Sequence, residues 1–357
     1  MLNVKRVLSK IVLLSTLLLS ISLLSCTETK TIKGEEETIK GEELFRFETR
    51  DGVFSSPAVV DDVVYFGSTD DILYAVDAKT GELKWGFDAG DRIFSSPCVA
   101  GGIVYIGSTN FKLYAIGKKT GKMKWRFKTD NWVVSSPCVA DKTIYFGSGD
   151  DYLYALDAKT GEEKWRLDTY YGVNSSPCVV NDIVYVGSNN NHLYAVDAGT
   201  GNVKWRFKTG ESVYSSPCVV DDVVYFGSND DHLYSVNTKT GEEKWRFMTG
   251  DSVLSSPCVV DGVVYVGSSD DYLYAVDAET GNEKWRFKTG DDVRSSPCVV
   301  DGVVYFGSND TYLYAVDAGT GDEIWRFKTG DWVESSPCVA DGVVYVGSND
   351  GYLYAIW

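Results

Sequence analysis

Eight cysteines and two histidines are the side chains of this sequence with the plainest capacity for metal or redox chemistry. Seven of the cysteines, Cys98, Cys138, Cys178, Cys218, Cys258, Cys298 and Cys338, recur every 40 residues, and Ala58 holds the place one period earlier. A ring of thiols would bind a soft metal or pair as disulfides in an exported protein. The pattern opposes both. Seven is odd, no Cys-x-x-Cys or adjacent Cys-Cys occurs, and Ala58 is the natural substitute for a small buried hydrophobe. These cysteines are therefore expected to pack. His192 and His232 are also 40 residues apart and would share a metal only if adjoining units brought them together. No Gly-x-Ser-x-Gly, Walker or zinc spacing is present, and Gly-Ser-Asn-Asp lacks the ligand spacing of a calcium loop. The expectation is a protein that is not an enzyme, with no catalytic residue, no metal and no cofactor.

What must position these side chains is a repeat. Ser-Ser-Pro recurs with proline at 57, 97, 137, 177, 217, 257, 297 and 337, and Gly-Ser with glycine at 67, 107, 147, 187, 227, 267, 307 and 347. A fixed period of this length marks a solenoid or propeller. Each unit holds four β-rich runs separated by turn signals. In the sixth they are 256–260, 263–267, 272–276 and 283–287, with Asp261-Gly262 as a two-residue hairpin turn. Four short strands per unit, eight times over, predict an all-β, eight-bladed β-propeller of four-stranded antiparallel blades. The chain begins on a fourth-type strand, Leu44-Phe45-Arg46-Phe47, and stops at Trp357 after a third-type strand. The first run is expected to complete the last blade, which removes an open sheet edge.

Composition narrows the function classes. A formal net charge of −17 lacks the basic footprint that nucleic acid requires, and it disfavours adsorption of the protein surface to anionic lipid. With 44% hydrophobic residues the chain can bury a core. Residues 1–25 read as a secretory leader: Lys5, Arg6 and Lys10 without an acid, then an uncharged stretch from Ile11 to Leu24 too short to span a bilayer comfortably. It ends in Leu23-Leu24-Ser25-Cys26, which resembles the lipobox of bacterial lipoproteins and implies cleavage before Cys26 and lipidation at Cys26. Residues 26–43 are expected to be the acylated cysteine and a flexible polar tether, and residues 44–357 the propeller. Thr27 after the cysteine resembles the outer-membrane sorting pattern of Gram-negative lipoproteins. The implied place is a membrane of the envelope, the periplasmic side of the outer membrane in a Gram-negative source and the cell surface otherwise.

The turn between third and fourth strands reads Ala75-Val76-Asp77-Ala78-Lys79-Thr80-Gly81-Glu82-Leu83-Lys84-Trp85. This resembles the docking motif of the PQQ-like, quinoprotein-type propeller repeat, and it recurs with Trp125, Trp165, Trp205, Trp245, Trp285 and Trp325. WD repeats share the period, but their Gly-His and Trp-Asp pairs are absent. Asp77 can cap the turn, Gly81 can adopt positive φ, and Trp85 can offer an apolar plate to the adjoining blade. Gly117 and Asn237 replace the aspartate in two units, which predicts weaker turns there. Quinoprotein dehydrogenases share the motif but are longer, with insertions, a Cys-Cys ring and a catalytic aspartate that this chain lacks. A lipid-anchored propeller of this size is more similar to the BamB-like family of outer-membrane assembly lipoproteins. That resemblance implies a monomeric, non-catalytic scaffold with an envelope protein partner, such as an outer-membrane barrel assembly factor. A receptor for a small ligand or glycan is the alternative.

Variation among the copies gathers on one face of the expected propeller, in the connections from fourth to first and second to third strands. The residue before Ser-Ser-Pro changes through Phe54, Phe94, Val134, Asn174, Tyr214, Leu254, Arg294 and Glu334. Two positions earlier stand Arg92, Trp132 and Trp332 among small and acidic residues. A scaffold requirement would repeat one residue, as Ser-Ser-Pro does, and loop tips commonly carry binding. Phe54, Arg92, Phe94, Trp132, Tyr214, Leu254, Arg294 and Trp332 are the expected partner-binding residues, of types that anchor protein interfaces.

Overall fold

Each 40-residue unit folds into one antiparallel sheet whose strands run in sequence order from the axis outward. The computed structural model describes residues 41–357; the leader, Cys26 and the tether up to residue 40 lie outside the described residues. Blade 1 comprises β2 (Ala58–Val60), β3 (Val63–Gly67), β4 (Ile72–Asp77) and β5 (Leu83–Asp88). Blade 2 comprises β6 (Cys98–Ala100), β7 (Ile103–Ser108), β8 (Lys112–Gly117) and β9 (Met123–Lys128). Five further blades repeat this plan. The eighth contains β30 (Cys338–Ala340), β31 (Val343–Gly347) and β32 (Tyr352–Ile356), and its outer strand is β1 (Glu43–Glu48). The expected eight-bladed ring with its N-terminal closing strand is therefore the fold.

Closure reaches further back along the chain than the pattern of strands suggested. Glu42 and Trp357 exchange backbone hydrogen bonds of 3.0 and 2.8 Å. Gly41, at the position equivalent to Gly81, lies so close to Trp325 that a Cβ would meet its ring at 2.9 Å. Residues 41–43, counted with the tether by sequence, thus belong to the ring.

The core lies between blades, since a single four-stranded sheet cannot cover its own faces. Tyr105, Leu113, Ala115 and Val133 pack with Ile144, Phe146, Tyr154 and Leu156 of the next blade. Each such leucine, isoleucine or phenylalanine contributes about 1.5–3 kcal/mol by leaving water. The hairpin at Asp261-Gly262 has φ of 49° and 74°, as a turn matched to strand twist requires. In blade 1 Asp61 and Asp62 adopt the same geometry at 52° and 57°, because short polar side chains tolerate it.

The docking motif joins each blade to the next. Asp77 Oδ1 accepts from the N–H groups of Lys79 and Thr80 at 3.0 and 3.1 Å, and Lys84 Nζ lies 2.9 Å from its other oxygen. The Lys84 ammonium and these N–H groups hold the Asp77 carboxyl down at about 2. Trp85 Nε1 donates to Lys118 O at 2.9 Å, and its ring lies under Gly121. Trp125, Trp165, Trp205, Trp245 and Trp285 make the same bond to Ala158, Ala198, Thr238, Ala278 and Ala318. Among the described residues Trp325 Nε1 finds no acceptor. The turn over its ring is the one at Gly41, and Thr38, which holds the place of Lys118 in that turn, lies outside the described residues. Asn237 corrects one sequence expectation: its Oδ1 caps Lys239 and Thr240 at 2.9 and 3.0 Å, as an aspartate would. Among the described residues only Gly117 lacks the side-chain cap, with the turn held by Gly121 N–H on Gly117 O at 2.9 Å.

The first strands adjoin one another around the axis. Just ahead of them the two serines of Ser-Ser-Pro form a continuous girdle. Ser56 N–H donates to Ser96 Oγ at 3.0 Å, and the series continues through Ser136, Ser176, Ser216, Ser256, Ser296 and Ser336 back to Ser56. The fully buried Ser55-type serine ties strands within a blade, as Ser55 Oγ accepts from Gly67 N–H at 3.0 Å. Ser-Ser-Pro recurs unchanged because every copy faces the same two neighbours.

Candidate functional site

On the variable face the backbone is pinned at several points, which leaves only chosen side chains free to differ. In the connection before blade 7, Val293 is fully buried and its N–H donates to Ser268 O at 3.0 Å. Its carbonyl approaches so closely that a Cβ on Gly267 would fall 2.3 Å away, so the glycine of Gly-Ser is a steric requirement. Gly290 N–H donates to Asp310 Oδ2 of the next blade at 2.7 Å, and Tyr314 Oη donates to that same oxygen at 2.7 Å. Side chains at the 292- and 294-type positions make no bond common to all copies, although Ser212 and Ser252 Oγ donate to Asn189 O and Asn229 O at 3.1 and 3.2 Å.

These positions ring the mouth of the channel. Trp132, Tyr214 and Trp332 are 56%, 38% and 45% exposed, and Arg92 and Arg294 are exposed as well. Phe54, Phe94 and Leu254 are half-buried. Two neighbouring pairs are brought together. Phe54 and Phe94 meet edge to face with centroids 5.3 Å apart. Arg294 reaches Asp292 at 2.8 Å and Glu334 at 3.6 Å. Burial pushes the Glu334 carboxyl up, and Arg294 offsets this. The mouth therefore has an apolar sector at blades 1 and 2 and a charged sector at blades 7 and 8.

Two aromatic residues escaped the sequence reading. Tyr170 and Tyr171 are 75% and 61% exposed, just ahead of blade 4. Tyr170 has φ of 65°, an unusual conformation for a bulky residue, and the neighbouring polar side chains account for it. Where the second connection carries an aspartate such as Asp230, a loop N–H turns toward it, as Gly210 does at 2.6 Å. Blade 4 has Asn190 instead, whose Nδ2 donates to Thr169 O at 2.5 Å. The peptide is reversed, and Tyr170 N–H donates to Asp168 Oδ1 at 2.7 Å. Gly90, φ 83°, repeats this beside Asp88 and Asn110. The signal in the sequence was Thr-Tyr-Tyr-Gly where the four copies from 209 onward read Thr-Gly-Asp or Thr-Gly-Glu.

The groups suited to chemistry are occupied otherwise. His192 and His232 each turn Nδ1 to a backbone carbonyl of their own loop, at 2.9 and 2.6 Å, and lie against Tyr194 and Tyr234. No disulfide joins the seven repeat cysteines. Burial pushes the Cys218 thiol up to about 11 and those of Cys98, Cys258 and Cys338 up to about 12. Among the described residues the metal-range group is Asp271, Asp291 and Asp292, three carboxylates beside the Arg294 pair.

No curated protein matches the chain in sequence. Its structure is similar to that of BamB from Moraxella catarrhalis, with TM-score 0.77 and 19% identity over 88% of this chain and 99% of that one. The computationally designed Ika8 protein gives TM-score 0.81 and 17% identity over 89% and 100%. Quinohemoprotein alcohol dehydrogenase from Comamonas testosteroni gives 0.75 and 16% over 88% and 76%. At these identities the likeness shows the fold. A family model described as outer membrane protein assembly factor BamB matches residues 35–97, 88–173, 170–269, 192–311 and 270–356. The repeats of this propeller, nearly end to end, thus place the chain in the family of outer membrane protein assembly factor BamB.

Proposed function

We propose that the chain is a lipid-anchored envelope protein whose propeller is a non-catalytic platform for another envelope protein, such as a factor in outer-membrane barrel assembly. The observation that carries this reading is the set of exposed aromatics, Trp132, Tyr170, Tyr171, Tyr214 and Trp332, on the one face where the copies differ. Aromatic side chains held on a rigid backbone lose little freedom on binding and supply large contact area. Membership of the BamB family supports a protein partner. Acylation of Cys26 would hold the domain at a membrane, with residues 27–40 as the anchor's link to the ring.

The likeness to a quinohemoprotein alcohol dehydrogenase carries the fold only. The test is crosslinking and affinity purification from detergent-solubilised envelopes, comparing wild type with Trp132→Ser, Tyr171→Ser, Tyr214→Ser and Trp332→Ser combined. Recovery of an envelope protein that the variant fails to recover supports the platform. Equal recovery by both, or stoichiometric quinone binding with dye reduction, defeats it.

A further inference from the structure

Between Arg92 and Thr129 the chain carries eight Lys and Arg residues and no Asp or Glu, although its formal net charge is −17. That stretch is blade 2 with its leading loop. The acids that other blades carry for structural reasons are absent from it one by one. Gly101-Gly102 takes the hairpin place of Asp61-Asp62, Gly117 that of Asp77, Asn110 that of Asp70, and Lys122 that of Glu82.

The loss leaves cations unpaired. In other blades the lysine before the docking tryptophan meets the cap aspartate, as Lys84–Asp77 at 2.9 Å and Lys204–Asp197 at 2.9 Å. The arginine after it meets a glutamate, as Arg246–Glu243 at 3.0 Å and Arg326–Glu323 at 3.6 Å. In blade 2 those acids are Gly117 and Met123, so Lys124 and Arg126 have no such partner. Lys118 is paired with Asp61 of blade 1. Lys119, Lys122, Lys124, Arg126 and Lys128 are exposed and form a stripe from the Thr-Gly turn along β9 at the rim.

Where the chain enters the ring selects the occupant. Gly41 sits at the docking-turn position of blade 8, on the same face as Lys119 and Lys122 and two blades away. Residues 27–40 reach at most about 50 Å when extended, so an acyl group on Cys26 would keep that edge close to the bilayer. The tether itself is a poor counterion, having four glutamates against three lysines. We infer that the rim of blade 2 docks edge-on against anionic phospholipid headgroups, leaving the aromatic face open to a partner. A polybasic patch adds electrostatic attraction to anionic lipid beside an acyl anchor. Each Lys or Arg near such a surface strengthens partitioning roughly fivefold. This inference rests on the lipid-anchored reading for its choice of occupant.

The test uses the mature chain with Cys26→Ser, so that no acyl group contributes, and flotation with phosphatidylethanolamine vesicles with or without phosphatidylglycerol. Binding is expected only with phosphatidylglycerol and should weaken as salt is raised. Combined Lys119→Glu, Lys122→Glu, Lys124→Glu and Arg126→Glu should lower it at least a hundredfold. Lys239→Glu with Lys244→Glu, on another blade, should leave it unchanged, and thermal melting verifies that both variants fold. No binding, equal binding by the blade 2 variant, binding that appears only after residues 27–40 are deleted, or capture of an acidic peptide without vesicles would each overturn the inference. Mass determination of the native chain tests Cys26 acylation separately, so the anchor and the docking edge can fail independently.

Discussion

Ser336 N–H donates to Ser56 Oγ at 3.0 Å across 280 residues of sequence, and this bond completes a girdle of eight equivalent ones. Beside it, Ser335 Oγ donates to Ser55 O at 3.2 Å and accepts from Gly347 N–H at 3.0 Å. At the serines the first and last units thereby meet as neighbouring pairs do, while at the rim Phe45 rather than a tryptophan lies under Gly81.

The two serines of that motif should differ in cost. Ser335 is fully buried, and Ser335→Ala would leave Gly347 N–H and Ser55 O without partners. A loss of about 2 kcal/mol is expected. Ser336→Ala removes one acceptor at the channel and should cost about 1 kcal/mol. Urea denaturation of the two variants checks the order.

The docking tryptophans should separate in the same way. Trp245 Nε1 donates to Ala278 O at 3.0 Å, whereas Trp325 Nε1 is buried and has no acceptor among the described residues. Trp245→Phe should therefore destabilise by about 1 kcal/mol more than Trp325→Phe, because the former gives up a bond that the described residues do not offer the latter. Equal shifts in denaturation midpoint would show that ring packing alone decides the interface.

Burial of the thiols makes stability fall in alkali. Folded Cys218 titrates at about 11 and Cys98, Cys258 and Cys338 at about 12, against an ordinary 9.0. The folded state keeps protons that the unfolded chain gives up, so their contribution is complete below about pH 8.5 and lost as pH rises toward 11–12. Denaturation at pH 7.5, 9 and 10 should show a decline. Replacing these four cysteines with alanine, the residue native to position 58, should lessen it, and the buried Cys178 thiol, also pushed up, sustains the rest.

The exposed aromatics should be nearly silent for folding. Trp132→Ser and Trp332→Ser change side chains 56% and 45% exposed, so stability should move by no more than about 0.5 kcal/mol. Phe94→Ser, which breaks the edge-to-face contact with Phe54, should cost about 1 kcal/mol. Thermal melting distinguishes the two classes before any partner is sought.

Much of the architecture was legible because the same local problem is solved eight times. Ser-Ser-Pro, Gly-Ser and the Thr-Gly turn each recur wherever a serine, a glycine or a tryptophan has an equivalent neighbour, so the period alone yields blades, strands and closure. The candidate face was legible only as an exception to that period. Its readable part was the 54- and 132-type positions, whose side chains vary while their backbone is held. Tyr170 stayed hidden because its prominence depends on a reversed peptide.

From sequence by itself came the ring, its eight blades, the strand that seals it and the face on which the copies differ. Those follow from short-range preferences repeated at a fixed interval. Tertiary structure decided which differences act together. Asp168, Tyr170 and Asn190 belong to one backbone conformation although they are up to 22 residues apart, because Asn190 donates where Asp230 accepts. Gly41 belongs to the ring because Trp325, far along the chain, has no other turn to lie beneath. Such couplings depend on donor direction and on distances across blades, and a one-dimensional pattern carries neither.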